Sequence, residues 1–297
     1  DGGDGYVYVY SDENPATKWN SIEIGQNQAI CNLRNNVTIN NICFKYGGKH
    51  GLEGSGLSNV RISNCEIAYI GGAYGDDARL GNGVQLGQAA ADCKVKNCYV
   101  RECYDAGLTF QSWSGSGAFQ SINFSNNLIE NCNYSIEFFT KNTSDTVNNI
   151  QIRDNILRGA GYGWGYDERT GYGTEIGIRQ TSHIRATQNK HFTNISEFYI
   201  CDNILDCSKG ALVYWWWDAT DAETKYGYYD GVHISGNTFY QAKNSDERIL
   251  DYMDEGPVYG VSTYGVREAL KKFENTDTPT HLNDSKYVLP ERVISTY

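Results

Sequence analysis

The sequence predicts an all-β fold: a single-stranded right-handed parallel β-helix, a solenoid with irregular ends and a short C-terminal helix. Three observations carry that prediction. One eight-residue pattern recurs seven times, a small polar residue holds the same place in every copy, and a second apolar segment follows each of the first six copies.

The copies are VTINNICF at 37–44, VRISNCEI at 60–67, CKVKNCYV at 93–100, INFSNNLI at 122–129, IQIRDNIL at 150–157, FYICDNIL at 198–205 and VHISGNTF at 232–239. Their first, third and eighth residues are apolar. They begin 23 to 48 residues apart, which no 3.6-residue period fits. The fifth residues are Asn41, Asn64, Asn97, Asn126, Asp154, Asp202 and Gly236. These types tolerate left-handed backbone and hydrogen-bond locally, so the place reads as a tight corner between two short strands. The sixth residues are Ile42, Cys65, Cys98 and then four asparagines, Asn127, Asn155, Asn203 and Asn237. Four stacked asparagines predict an amide ladder from coil to coil.

A closing strand follows at 50–54, 82–87, 106–111, 134–139, 176–181 and 210–215, with Leu52, Val84, Leu108, Ile136, Ile178 and Leu212 as one inward apolar column. Parallel strands need long connections, and here a whole coil supplies each one. Extra residues leave the coils after Ile67, Leu157 and Tyr214 as loops, where binding residues tend to lie.

The ends are less regular. Residues 1–36 read as opening coils, compatible with a chain that begins inside a larger protein, and 265–275 (GVREALKKFEN) has a helical pattern suited to a cap. All 297 residues are expected to form one domain, with repeats over about 37–245 and a cap or flanking segment over about 246–297.

Composition narrows the partners. Lys and Arg number 25 against 36 Asp and Glu, a net charge of -11, and no basic cluster is interleaved with aromatics. A nucleic-acid backbone would be repelled, so nucleic acid is not an expected partner. No apolar run is long enough for a membrane span, and the first residues lack the features of a signal peptide. Among the nine Cys, Cys65 and Cys98 share one repeat place and Cys103 and Cys132 another; stacked thiols of this kind read as small buried apolar groups. No metal and no cofactor is expected, and the oligomeric state is not legible.

Chemistry is sought on the outer wall. Two places before the small residue that precedes each apolar anchor stand Lys49, Gly81, Asp105, Asn133, Glu175 and Lys209 or its neighbour; two places after it stand Glu53, Gln85, Thr109, Glu137, Arg179 and Val213. Asp105 and Glu137, on adjacent coils, are the leading acid/base pair, with Glu175 as an alternative or third carboxylate. Arg179 is expected beside Glu137, holding it ionised as nucleophile or base and leaving Asp105 or Glu175 to donate a proton. Ordinary cross-strand ion pairs, Glu137 with Arg179 and Glu175 with Lys209, are an equally good reading.

His50 and Gln85 flank this pair, and an imidazole there can bind substrate or relay a proton, although a turn histidine without a role is more common. His183 merits the same reading, and His233 that of an outward strand residue. Trp113, Trp164, Trp215 and Trp217 are candidate aromatic contacts, since pyranose C–H faces stack on exposed rings beside acidic groups.

The repeated V-x-I-x-N/D-N-x-I/L segments resemble the pectate-lyase-like right-handed parallel β-helix superfamily, in its bacterial carbohydrate-active, glycosidase-like branch, over about 20–242. That resemblance implies a secreted or cell-surface protein with a carbohydrate ligand in a groove along a parallel sheet. It also implies Asp and Glu on neighbouring coils as nucleophile and acid/base, which fall on Asp105 and Glu137. The G-H-G and R-I-K strings of polygalacturonase-like members are absent, and KHGL at 49–52 is a poor substitute. Two-carboxylate hydrolysis of a plant or microbial polysaccharide or oligosaccharide therefore leads. The alternatives are β-elimination on a uronate glycan using Arg179, Lys209 or His50, and a non-catalytic glycan-binding or structural solenoid.

Overall fold

The computed structural model describes residues 9–74, 78–113, 117–140, 146–165, 181–188, 194–217, 231–240, 248–252, 257–259 and 286–288. Its strands form a right-handed parallel β-helix with a 14-stranded sheet along one side and an eight-stranded sheet along another. The first half of each repeat joins the larger sheet and the second half joins the smaller, with the left-handed corner between them. Closing strands also lie in the larger sheet, and in Leu52–Ser63 and Val84–Lys96 a closing strand runs straight on into the next repeat. Parallel pairing continues to Arg248–Tyr252 and Lys286–Val288. The expected helix at 265–275 lies outside the described residues.

The corner residues behave as their chemistry requires. Asn41, Asn64, Asn97, Asn126, Asp154, Asp202 and Gly236 all take positive φ, between 52° and 66°. Two further corners per coil adopt the same geometry. One column is Asn36, Asn59, Asp92, Ser121, Asn149 and Glu197; the other is Tyr46, Tyr69, Glu102, Asn131, Gly159 and Cys207. The first column is rich in Asn, Asp and Ser and carries the same turn signal, whereas the second, with Tyr, Glu and Cys among its members, carries little.

Behind the first corner runs the amide ladder. Asn127 Nδ2 donates to Asn155 Oδ1 (3.0 Å), Asn155 Nδ2 to Asn203 Oδ1 (2.9 Å) and Asn203 Nδ2 to Asn237 Oδ1 (3.0 Å). Each of these Oδ1 atoms also accepts the backbone N–H of the preceding asparagine, and each Nδ2 binds a strand carbonyl such as Phe124 O or Ile152 O. All four side chains are buried, so a missing rung would strand several polar groups away from water.

Inside, Leu52, Val84, Leu108, Ile136, Ile184 and Val213 stack in register. Leu108 opposite Ile136 is as expected, but two later anchors are corrected. In the fifth coil the strand is Ser182–Gln188, six residues beyond the expected 176–181, and Ile184 replaces Ile178. The sequence carries Ile-Arg twice, at 178–179 and 184–185, and apolar alternation cannot choose between them. Polar bonds favour the second: Thr181 Oγ1 donates to Asn133 Oδ1 (3.4 Å), Ser135 Oγ meets His183 Nδ1 (2.9 Å), and Arg185 pairs with Glu137. In the next coil Val213, not Leu212, takes the anchor place. Both are buried, so polarity does not separate them.

Phe110 stacks on Phe138 (5.0 Å between centroids) and meets Phe119 edge-on (5.4 Å), filling the coil centre. The nine cysteines are unbridged, and Cys65, Cys98, Cys103 and Cys132 are buried among apolar side chains. Burial pushes the Cys98 thiol up to about 11, leaving it protonated at neutral pH.

Asn155→Leu should destabilise the protein by about 2–4 kcal/mol, because it leaves Asn127 donors and the Phe124 carbonyl unsatisfied. A urea midpoint within experimental error of the parent protein's would show that the ladder contributes little. At the corner, Asn97→Val should cost about 1–2 kcal/mol more than Asn97→Gly, since β-branching is strained at positive φ. Equal urea midpoints for the two variants would remove that account.

Candidate functional site

Close coil-to-coil approach shapes the inner side of the corner that leads into the outer wall. At Gly51, Gly83 and Gly107 an added Cβ would collide with the carbonyl oxygen of the equivalent residue one coil on. Larger residues return only at Ser135 and His183. Next to this column the larger sheet opens into a cleft of about 850 Å³ spanning the coils from Asn32 to Arg185.

Five sequence-selected residues line this cleft: Asp105, Glu137, His50, Gln85 and Trp113. Trp164 does not. Its indole N–H donates to Glu102 O (3.1 Å) and its ring meets Tyr104 edge-on, so it braces the corner behind Asp105. Glu175 and Arg179 lie outside the described residues. The places expected for them in the columns are taken by Thr181 and Arg185, as the register Tyr134 with Ser182 and Glu137 with Arg185 requires. Trp215 and Trp217 lie in the strand Ala211–Trp217, opposite Ala186 and Gln188, and their side chains are outside the described portion.

Glu137 is held on both oxygens. Arg185 Nη1 pairs with Oε1, and Thr109 Oγ1 donates to Oε2 (3.2 Å). The Arg185 guanidinium also lies 4.6 Å over the Tyr134 ring. Glu137 and Arg185 are largely buried, so their attraction is weakly screened and Glu137 is kept as carboxylate. Glu53 forms a second ion pair with Lys49 (2.9 Å). The cleft lining thus holds the cations Arg34, Lys49 and Arg185 against the anions Glu53, Asp105 and Glu137.

A buried chain of uncharged groups runs beneath. His50 Nδ1 accepts the backbone N–H of Asn82 (3.1 Å), so the neutral ring carries its proton on Nε2, facing Glu53 Oε2 at 3.7 Å. Burial lowers the His50 pKa to about 4, with the Glu53 and Asp105 charges opposing that shift; the contact with Glu53 is therefore not an ion pair at neutral pH. Asn82 Oδ1 accepts the N–H of Ala106 (3.0 Å), next to Asp105, while Asn82 Nδ2 donates to Gln85 Oε1 (2.7 Å). Gln111 Nε2 donates to the same oxygen (2.7 Å). His183 is buried entirely in the coil, and burial lowers it likewise to about 4. His233 stands in a strand, stacked on Tyr199 at 4.7 Å.

Sequence reasoning passed over Asn82, Gln111 and Arg185, and placed Lys49 on the outer wall without giving it a role. A signal existed for the first pair: Asn82 stands three residues before Gln85, just ahead of its strand, and Gln111 two after Thr109 in the strand Ala106–Ser112. Among the described residues no group of three or more His, Cys, Asp or Glu is arranged to hold a metal. No described helix is long and apolar enough to cross a membrane.

Comparison with known proteins returns one family match: a right handed beta helix region, over residues 5–191. No curated protein and no solved structure matches the chain.

The two buried histidines make stability pH-dependent. Their folded pKa values, about 4, lie below the ordinary 6.5, so the unfolded chain binds more protons in between. Their contribution is fully present above pH 6.5 and is lost as pH falls toward 4. His50→Gln should flatten the fall in urea midpoint between those pH values relative to the parent; parallel profiles would mean that His50 is not buried as a neutral group.

Proposed function

The chain belongs to the right-handed β-helix family, which accommodates carbohydrate-active enzymes and binding proteins, and from that premise we propose that it is a glycoside hydrolase with Asp105 and Glu137 as its working carboxylates. One observation carries the reading: two carboxylates from adjacent coils open into a single cleft that also presents an exposed indole and several amides. Glycosidic bonds are cleaved by such carboxyl pairs, one protonating the leaving oxygen and the other attacking the anomeric carbon or activating water.

The surroundings support a division of labour. Glu137, kept ionised by Arg185 and Thr109, suits the nucleophile or base. Asp105 then donates the proton as the C–O bond breaks. Its backbone is held at a bend, with its N–H donating to Gly81 O (3.2 Å) and its carbonyl accepting Asn133 N–H (3.0 Å). Asp105 stands four residues before the Glu137 place in register, and both residues line the one cleft. Elimination on a uronate is less well supported, because of the three cleft cations Arg185 is already neutralised by Glu137 and Lys49 by Glu53, leaving Arg34 alone for the task.

Asp105→Asn and Glu137→Gln should each lower kcat by roughly 10²–10⁴-fold in reducing-end release from the polysaccharide that the parent protein cleaves. Retained activity in both variants would sink the carboxylate pair. A product absorbing in the ultraviolet, from a new C=C bond, would assign elimination instead.

A further inference from the structure

We infer that the cleft contains a dedicated subsite for one uncharged pyranose ring, built by Trp113, Gly87, Gln88, Gln85 and Gln111 on the side away from Arg185. The inference rests on reading the cleft as a glycan site, and it adds the substrate class and the residues that set it.

Amide orientation is decided in series. The Ala106 N–H can only donate, so Asn82 must offer it Oδ1 and turn Nδ2 toward Gln85. Gln85 must answer with Oε1, and Gln111, reaching the same oxygen, must supply Nε2. What remains is Gln85 Nε2, a donor, and Gln111 Oε1, an acceptor. Neither makes a hydrogen bond among the described residues. A donor beside an acceptor, preset by a buried network, matches two neighbouring hydroxyls of a sugar, one accepting and one donating.

The aromatic wall is equally preset. Trp113 lines the cleft, is 42% exposed, and lies against Gly87, whose hypothetical Cβ would come 3.1 Å from the indole Cη2. Any side chain at Gly87 would lift the ring from the sheet. Gln88, at φ +63°, reaches one coil on and accepts the Trp113 backbone N–H through Oε1 (3.2 Å). A left-handed glutamine costs backbone energy, and here its side chain anchors the residue that carries the indole. The flat ring offers its face to pyranose C–H bonds. Lys49 and Arg185 are each engaged by a carboxylate, so of the cleft cations only Arg34, which donates to Leu33 O, is left for a uronate or sulfated ring.

The test is calorimetric binding to the full chain carrying Asp105→Asn, which leaves the Arg185–Glu137 pair intact, with cellohexaose, xylohexaose and mannohexaose as neutral probes and hexagalacturonate as the charged one. At least one neutral hexaose should bind better than hexagalacturonate. Trp113→Ala should then weaken it by about tenfold or more, with smaller losses for Gln88→Leu and Gly87→Val. Trp19→Ala, removing an exposed indole that does not line the cleft, should change nothing. Unchanged affinity in Trp113→Ala, preference for hexagalacturonate, or no binding by any neutral probe would each overturn the subsite. Trp113-dependent binding by a parent protein that cleaves nothing would leave the subsite standing and remove the hydrolase; cleavage indifferent to Trp113 would do the reverse.

Discussion

A buried asparagine can satisfy its amide in a solenoid only if another amide lies one strand spacing along the axis. Asn127, Asn155 and Asn203 each spend their N–H groups on the next oxygen and on a strand carbonyl, and Asn237, the last described rung, donates to Ile200 O. A slip of one residue between coils would break every rung at once and turn the alternating strand residues inside out. The ladder therefore does more than add hydrogen bonds: it penalises every register but one. The Glu137 and Arg185 coils lie within that ladder; the earlier coils of the cleft, where Ile42, Cys65 and Cys98 hold the same place, rely on the apolar stack for their register.

The wall is built in two layers with different electrostatics. Beneath, His50, Asn82, Gln85 and Gln111 form an uncharged chain whose members are wholly or mostly withdrawn from water. Above, charges occur as matched pairs, Lys49 with Glu53 and Arg185 with Glu137. A neutral lower layer costs little to bury and holds the backbone at Ala106 still, so the Asp105 carboxyl is presented from a fixed bend. The paired layer leaves the cleft with little net charge, which suits a ligand that presents hydroxyls and C–H faces.

Legibility followed the size of the energetic penalty for each residue type. Left-handed corners at Asn41 through Gly236 were readable, because few residues adopt positive φ cheaply and these recur at one place. The column of Tyr46, Glu102 and Cys207 was not, because these residues take the same φ under tertiary constraint, whereas that of Asn36, Asn59, Asp92, Ser121 and Asn149 is written in turn-forming residues and was passed over. Within the candidate site, Asp105, Glu137, His50, Gln85 and Trp113 were reached by counting from the apolar anchors. Arg185 was missed because the second Ile-Arg in the fifth coil looks the same as the first; only its bond to Glu137, with those of Thr181 and His183 to the coil before, distinguishes them.

By itself, then, the sequence determined the coil: strand, corner, ladder and closing strand are local choices, each written in a few residues by steric and hydrogen-bonding rules. Tertiary structure alone decided which coil faces which across the insertions, because loop length does not reveal where a strand resumes. It also decided which amide oxygen turns toward which donor, since that orientation propagates from one backbone N–H through three side chains on two adjacent coils.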